Sequence, residues 1–305
     1  MHWLDALYLR WTKRQPLFER GWGDVERPLS YVPALLQRSV AEPLSLAFMP
    51  TSARTEEAFV ASPAPLLEHA TSRLHVVRLR AKGPNRGRVI VPPSWGDEGF
   101  GLREFLVNAL RYQGVEVWLF EGAYFGSRRA EDQRRVGLHT VGDFLRMGLA
   151  NVVEARALVM TALMMEPKLP VALAGYSMAG QMSAHAAASL DLDVPVTVMA
   201  PADDASVVFC DGPLSKSVTV RALGDDAMDR LRGVLRGLSV LAQPAPRSSR
   251  RFVVATTADG IVPPSSMEAI ARHWRVEPTR IDSGHLGAYA LHRRQLVEVM
   301  SKMLW

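Results

Sequence analysis

Residues 171–180, Val-Ala-Leu-Ala-Gly-Tyr-Ser-Met-Ala-Gly, constrain the fold of this chain more tightly than any other stretch. A short apolar run of strand character reaches Ser177 and passes at once into a segment of small residues, 178–190, that reads as a helix. A strand that turns directly into a helix crowds its own backbone, so the positions two residues either side of the serine must be small. Gly175 and Ala179 meet that condition. The turn strains the serine and presents its oxygen at the carboxyl end of a sheet, while the helix behind it opens with unpaired N–H groups suited to a developing negative charge. Alone, Gly-x-Ser-x-[Gly/Ala] is a weak pattern. A strand before it and a small-residue helix after it make it discriminating.

The rest of the chain supplies the matching rhythm. Residues 56–61 and 74–81 are strand-like, Gly83-Pro84-Asn85 reads as a turn, and the apolar run 88–91 stops at Pro92-Pro93. A helix over 100–113 precedes a strand at Val115–Phe120, and a helix over Val141–Met165 precedes a strand at 171–174. The small-residue helix then leads to a strand over 194–199. Residues 203–250 break the pattern, and the sheet resumes at 251–256, with a helix over 265–274, a strand over 279–281 and a last helix over 286–304. This alternation predicts an α/β fold with a mostly parallel central sheet covered by helices on both faces. A length of 305 residues allows one large domain or two small ones. The unbroken rhythm favours a single domain over 1–305, with residues 1–55 as an N-terminal extension and 203–250 as a small cap insertion.

Composition narrows the function classes. Apolar residues make up 48% and charged residues 22% of the chain, which excludes a disordered tail protein. Cys210 stands alone, so no internal disulfide forms, and a cytoplasmic, reducing location is expected. Met1-His2-Trp3-Leu4-Asp5 lacks the pattern of a secretory signal, and the longest apolar run, 155–165, is too short to span a bilayer. A net charge of +5 reads as a solvated, arginine-rich surface. If that charge has a partner, anionic lipid is expected before nucleic acid. Trp3, Leu4, Leu7, Tyr8 and Trp11 share one helical face flanked by Arg10, Lys13 and Arg14. That face either packs on the body of the protein, the favoured reading, or lies on a membrane surface.

A serine hydroxyl needs a base to take its proton. Asp259 sits in the turn after the strand over 251–256 and before Val262-Pro263, where the acid partner belongs. His285, in Ser283-Gly284-His285-Leu286, follows the last strand and is the candidate base. Among rivals, His292 falls inside the last helix, His75 inside a strand and His185 inside the helix behind Ser177. Asp203 and Asp204 follow a strand where the acid is less usual. The oxyanion donors expected are the backbone N–H of Met178 and that of Trp95, in the loop after the 88–91 strand. Pro92 and Pro93 have no N–H, and Ser94 stays open as an alternative.

The chain resembles the α/β-hydrolases, and among them the α/β-hydrolase domain-containing protein 18 family. The resemblance rests on Leu4-Asp5-Ala6-Leu7-Tyr8, Phe18-Glu19-Arg20-Gly21-Trp22-Gly23, Tyr124-Phe125-Gly126-Ser127-Arg128-Arg129 with Asp132-Gln133, Gly175 to Gly180, Gly212 to Ser217, and Gly284 to Tyr289. Ala179 and Ser94 depart from it at positions where glycine is usual. The resemblance implies a serine hydrolase with lipid esters as the favoured substrate class. Acyl transfer to an acceptor other than water and a non-catalytic, ligand-binding role are the alternatives. No metal or cofactor is expected, because no His-Glu-x-x-His, phosphate-loop or dinucleotide motif is present. Arg128, Arg129, Arg134 and Arg135, set around Glu131 and Asp132, form either an anion-binding edge at the mouth of the site or a salt-bridged loop. Oligomeric state stays open.

Overall fold

The computed structural model describes residues 3–12, 15–133 and 137–305. One nine-stranded sheet forms the centre: β1 (Met49–Ser52), β2 (Thr55–Ala61), β3 (Arg73–Leu79), β4 (Gly87–Val91), β5 (Val115–Phe120), β6 (Val171–Tyr176), β7 (Val196–Met199), β8 (Arg251–Thr256) and β9 (Thr279–Ile281). Their spatial order is β1-β2-β3-β5-β4-β6-β7-β8-β9. From β5 onward every pairing is parallel, whereas β1, β2 and β3 form an antiparallel edge that joins the rest through β3 and β5. β4, β5, β6 and β7 are buried at every position, as strands covered on both faces must be.

The helices are α1 (Trp3–Thr12), α2 (Glu26–Leu29), α3 (Val32–Leu36), α4 (Gly101–Tyr112), α5 (Val141–Met165), α6 (Met178–Ser189), α7 (Ser206–Phe209), α8 (Val220–Leu223), α9 (Ala227–Arg236), α10 (Pro264–Trp274), α11 (His285–Leu291) and α12 (Arg293–Lys302). The expected last helix is therefore two, broken at His292. β1 carries no burial signal because all four of its residues are exposed. α5 starts on a reciprocal cap in which Thr140 Oγ1 accepts from the Asp143 N–H and Asp143 Oδ2 accepts from the Thr140 N–H. Its 25 residues are long and apolar enough to cross a bilayer, contrary to the run-length reading of the sequence. However, 72% of its most apolar window is buried within the protein.

Residues 203–250 lie between β7 and β8 and carry α7, α8 and α9. The N-terminal segment is laced to them. The Leu17 N–H donates to Ser217 O, the Thr219 N–H donates back to Leu17 O, and Trp22 Nε1 donates to Leu223 O. The helical face expected over α1 splits. Trp3 and Leu7 are exposed, Tyr8 is half-buried, and the Trp11 side chain, Lys13 and Arg14 lie outside the described residues. Arg128 is buried and forms an ion pair with Glu154, Arg129 pairs with Glu98, and Arg134 and Arg135 lie outside the described residues.

Candidate active site

The turn at Ser177 has the conformation its neighbours imply. Ser177 takes φ 57° and ψ −125°, a left-handed geometry that costs a non-glycine residue on the order of 1–3 kcal/mol. The fold holds it there, with the Ser177 N–H donating to Met199 O on β7 at 2.8 Å. Close approach fixes the glycine before it: a Cβ on Gly175 would lie 2.2 Å from the Ala179 carbonyl. Ala179 is fully buried, so alanine fits where glycine is usual.

Asp259 leaves the end of β8 with its carboxylate enclosed. Oδ1 accepts from the Ile261 and Val262 N–H groups, both at 2.9 Å, and Oδ2 accepts from Thr256 Oγ1 at 2.6 Å. Oδ2 also lies 2.7 Å from His285 Nδ1. Burial alone would raise this carboxyl. The electrostatic interaction with His285 and the bonds from His285, Thr256 and Ile261 outweigh it and hold the group below the ordinary aspartate value. A carboxylate only accepts, so this bond assigns the proton to Nδ1 and leaves Nε2 with the lone pair a base requires. His285 opens α11 and lines the same cavity as Ser177. Its carbonyl accepts from the Tyr176 hydroxyl at 2.6 Å, tying the helix to the residue before the serine.

The rival residues are engaged elsewhere. Asp203 accepts from Ser266 Oγ, Asp204 caps the Ser206 N–H, and His75 pairs with Glu57 and stacks on Phe59. His292 contacts Gln295. Cys210 is buried, which raises its thiol to about 11 and makes it a poor nucleophile.

The loop after β4 is braced against the turn. Ser94 Oγ donates to Tyr176 O at 3.3 Å, and the Asp97 N–H closes a turn on Ser94 O, with Gly96 at φ 74°. That closure leaves the Trp95 N–H outside the turn's own bond. Arg103 anchors the loop from behind, pairing with Asp97 and donating to Val91 O and Phe120 O. The Trp95 ring packs 5.0 Å from Phe209 and 6.0 Å from Phe144. Trp95 and Met178 both line the cavity.

That cavity has a volume of about 300 Å³. One wall is α5, through Phe144, Leu145, Met147, Leu149 and Val152. A second is α2 and α3, through Leu29, Val32, Leu35 and Leu36. A third comes from the 203–250 segment, through Val208, Phe209 and Leu214. The N-terminal segment and α5 thus enclose much of the cavity. His185 lines the far part, where Nδ1 meets Gln243 Oε1 at 2.6 Å and burial lowers the imidazole's pKa. Asp5 and Tyr176, both bonded to the His285 backbone, carry no sequence signal of that role, because a residue binding distant backbone leaves no periodicity.

The sequence model of the family described as "Alpha/beta hydrolase domain containing 18" matches residues 15–237. Solved structures share the fold at low identity. A lid-less α/β serine hydrolase from Xanthomonas campestris is 17% identical, with a TM-score of 0.52 over 84% of this chain and 97% of that one. Acetyl xylan esterase 1 from a Thermoanaerobacterium species is 15% identical, with a TM-score of 0.55 over 95% and 98%. A thermostable carboxyl esterase from Bacillus coagulans is 10% identical, with a TM-score of 0.56 over 83% and 100%. The sheet order, the serine turn and a family match spanning most of the length agree: this chain belongs to the alpha/beta hydrolase domain containing 18 family.

Proposed function

We propose that this protein is a serine hydrolase that cleaves a carboxylic ester with a long apolar acyl group. In this reading Ser177 Oγ bonds to the ester carbonyl carbon as its proton passes to His285 Nε2. The Met178 and Trp95 N–H groups receive the oxyanion. The carbon–oxygen bond to the alcohol breaks, and the alcohol leaves with the proton from His285. Water then attacks the acyl-enzyme, gives a proton to His285 and releases the acid, and Ser177 regains its hydrogen. Asp259 holds the imidazole in the reactive tautomer and stabilises its charged form.

The single observation that carries the proposal is the bond from buried Asp259 to His285, which lines the apolar cavity that Ser177 also lines. The substrate class follows from the enclosing side chains, which are mostly aliphatic and aromatic and suit an alkyl chain. A contact with lipid surfaces is proposed on the same side. Trp3 and Leu7 of α1, Leu102 of α4 and Leu291 of α11 are each at least 60% exposed, with Arg10 and Arg294 exposed nearby in sequence.

A fluorophosphonate probe tests the enzyme reading. The expected result is stoichiometric labelling of the wild type, none of Ser177→Ala, and hydrolysis of p-nitrophenyl esters lost with it. An unlabelled, inert wild type, or equal labelling of Ser177→Ala, overturns the proposal in favour of a binding role. Product analysis with water and an added alcohol separates hydrolysis from acyl transfer. Co-sedimentation with anionic and zwitterionic vesicles tests the membrane contact, and its absence from both refutes that part.

A further inference from the structure

Asp5 lies on α1, some 280 residues before His285, yet its carboxylate is fully buried beside the acid–base pair. Oδ2 accepts from the Gly260 N–H at 2.9 Å and from the His285 N–H at 2.9 Å. Oδ1 accepts from the Leu286 N–H at 2.8 Å. These donors belong to two separate segments. Gly260 follows the acid Asp259 directly, and His285 and Leu286 are the first two residues of α11, whose opening N–H groups have no partner within the helix.

We propose that Asp5 is a positioning residue that fixes the distance between Asp259 and His285. One carboxylate oxygen is shared between the two segments, so the acid-bearing turn and the base-bearing helix are set against a common point. From the other side, the Tyr176 hydroxyl holds the His285 carbonyl. The His285 backbone is thereby pinned at both its N–H and its C=O, and the ring's freedom is reduced to its own side-chain torsions. Three amide donors match the capacity of a carboxylate in a way that no neutral side chain of that size reproduces. The N-terminal segment is therefore part of the machinery rather than a cover over it. This inference rests on the serine-hydrolase reading, since a positioning role has meaning only if Asp259 and His285 act on Ser177.

The test compares full-length wild type, Asp5→Asn, Asp5→Ala and the surface control Met164→Ala, an exposed residue near the end of α5. The readouts are fluorophosphonate acylation, ester kinetics, near-ultraviolet circular dichroism and the low-field proton resonance of His285 Nδ1–H. Misplacement of a reacting group by about 1 Å costs on the order of 100-fold in rate. Asp5→Ala is expected to lose about that factor in kcat and acylation rate while KM changes less than about threefold. Asp5→Asn, which keeps one acceptor oxygen, falls between it and wild type, and Met164→Ala matches wild type. The low-field resonance is expected to broaden or vanish in Asp5→Ala.

Labelled wild type together with folded Asp5 variants that react at the wild-type rate overturns the positioning role and leaves the hydrolase reading intact. So does a loss of rate with the low-field resonance unchanged. If Asp5→Ala does not fold, Asp5→Asn decides by the same readouts. Failure of both to fold makes Asp5 a stability residue and also refutes the inference. An unlabelled wild type refutes the underlying reading instead.

Discussion

Arg128 and Glu154 meet as a two-pronged ion pair with neither side chain exposed, Nη2 to Oε1 at 2.6 Å and Nη1 to Oε2 at 3.0 Å. The guanidinium also donates from Nε to Thr71 O and from Nη1 to Glu121 O, while Ser62 Oγ donates to Glu154 Oε1. All three guanidinium nitrogens of Arg128 are thus engaged inside the protein, which decides between the two readings of the arginine-rich segment for this residue. It holds the loop after β5 to α5 and does not bind an anion. Removing one partner leaves a buried charge alone, so Glu154→Ala is expected to lower stability by about 3–5 kcal/mol. Urea unfolding measures it. A change below about 1 kcal/mol would mean that water reaches the pair.

Gly175 yields a sharper prediction because the obstacle is backbone. A Cβ there would meet both the carbon and the oxygen of the Ala179 carbonyl at 2.2 Å, and neither can rotate away. Gly175→Ala must push the helix start away from the strand end. The expected cost is about 1–3 kcal/mol of stability, as for other overpacked sites. Acylation of Ser177 should fall on the order of 100-fold, since the nucleophile moves with the turn. Thermal melts and probe labelling of the same preparation check both numbers. An unchanged labelling rate would show that the turn tolerates displacement.

Asp259 links chemistry to pH. Its folded-state carboxyl sits below the ordinary aspartate value, against burial and because of His285, Thr256 and the Ile261 N–H. The unfolded chain takes up that proton first as pH falls. The stability contributed by Asp259 is therefore fully present above the unfolded value of about 3.9 and is lost as pH drops below it. Unfolding free energy of the wild type should decline more steeply below about pH 4 than that of Asp259→Asn, which has no proton to take. The same substitution should lower kcat by about 10⁴, because the amide no longer enforces the Nδ1–H tautomer. Parallel pH slopes for the two proteins would remove Asp259 from the account.

Much of this was legible in the sequence, and the parts that were not share a cause. The sheet from β4 to β9 and the serine turn left strong local signals: apolar runs of strand length, small residues at fixed offsets, and punctuation by Gly and Pro. Asp259 and His285 were placed by their position after strands, and the structure brings them to 2.7 Å. β1, exposed at all four residues, gave no pattern to read. The antiparallel edge was missed because alternating helices argue for parallel pairing and say nothing of a hairpin outside the rhythm. Asp5 looked like one acidic residue on an aromatic helix, since its three partners lie more than 250 residues away. The cavity walls from α2 and α3 were missed for the same reason. Docking of a short helix is a tertiary fact with no period of its own.

The walls also set the last prediction. α6 rises about 1.5 Å per residue, so His185, eight residues after Ser177, lies about 12 Å along the helix from the nucleophile. Leu35 belongs to the same far region, because Gln243, which meets His185, donates from Nε2 to the Leu35 carbonyl at 2.7 Å. Leu35 lines the cavity, and a larger side chain there fills its distal part while leaving the serine end open. Leu35→Trp should therefore spare short acyl chains and exclude long ones. Each methylene denied burial loses about 0.8 kcal/mol, close to fourfold in kcat/KM. With p-nitrophenyl butyrate the variant is expected to match wild type within about twofold, and with the decanoate to fall by at least tenfold, the loss of two methylenes. Equal losses on both esters would mean the substitution disturbs the catalytic end. No loss on either would mean the acyl chain does not occupy this cavity, and the long-chain substrate class would fall with it.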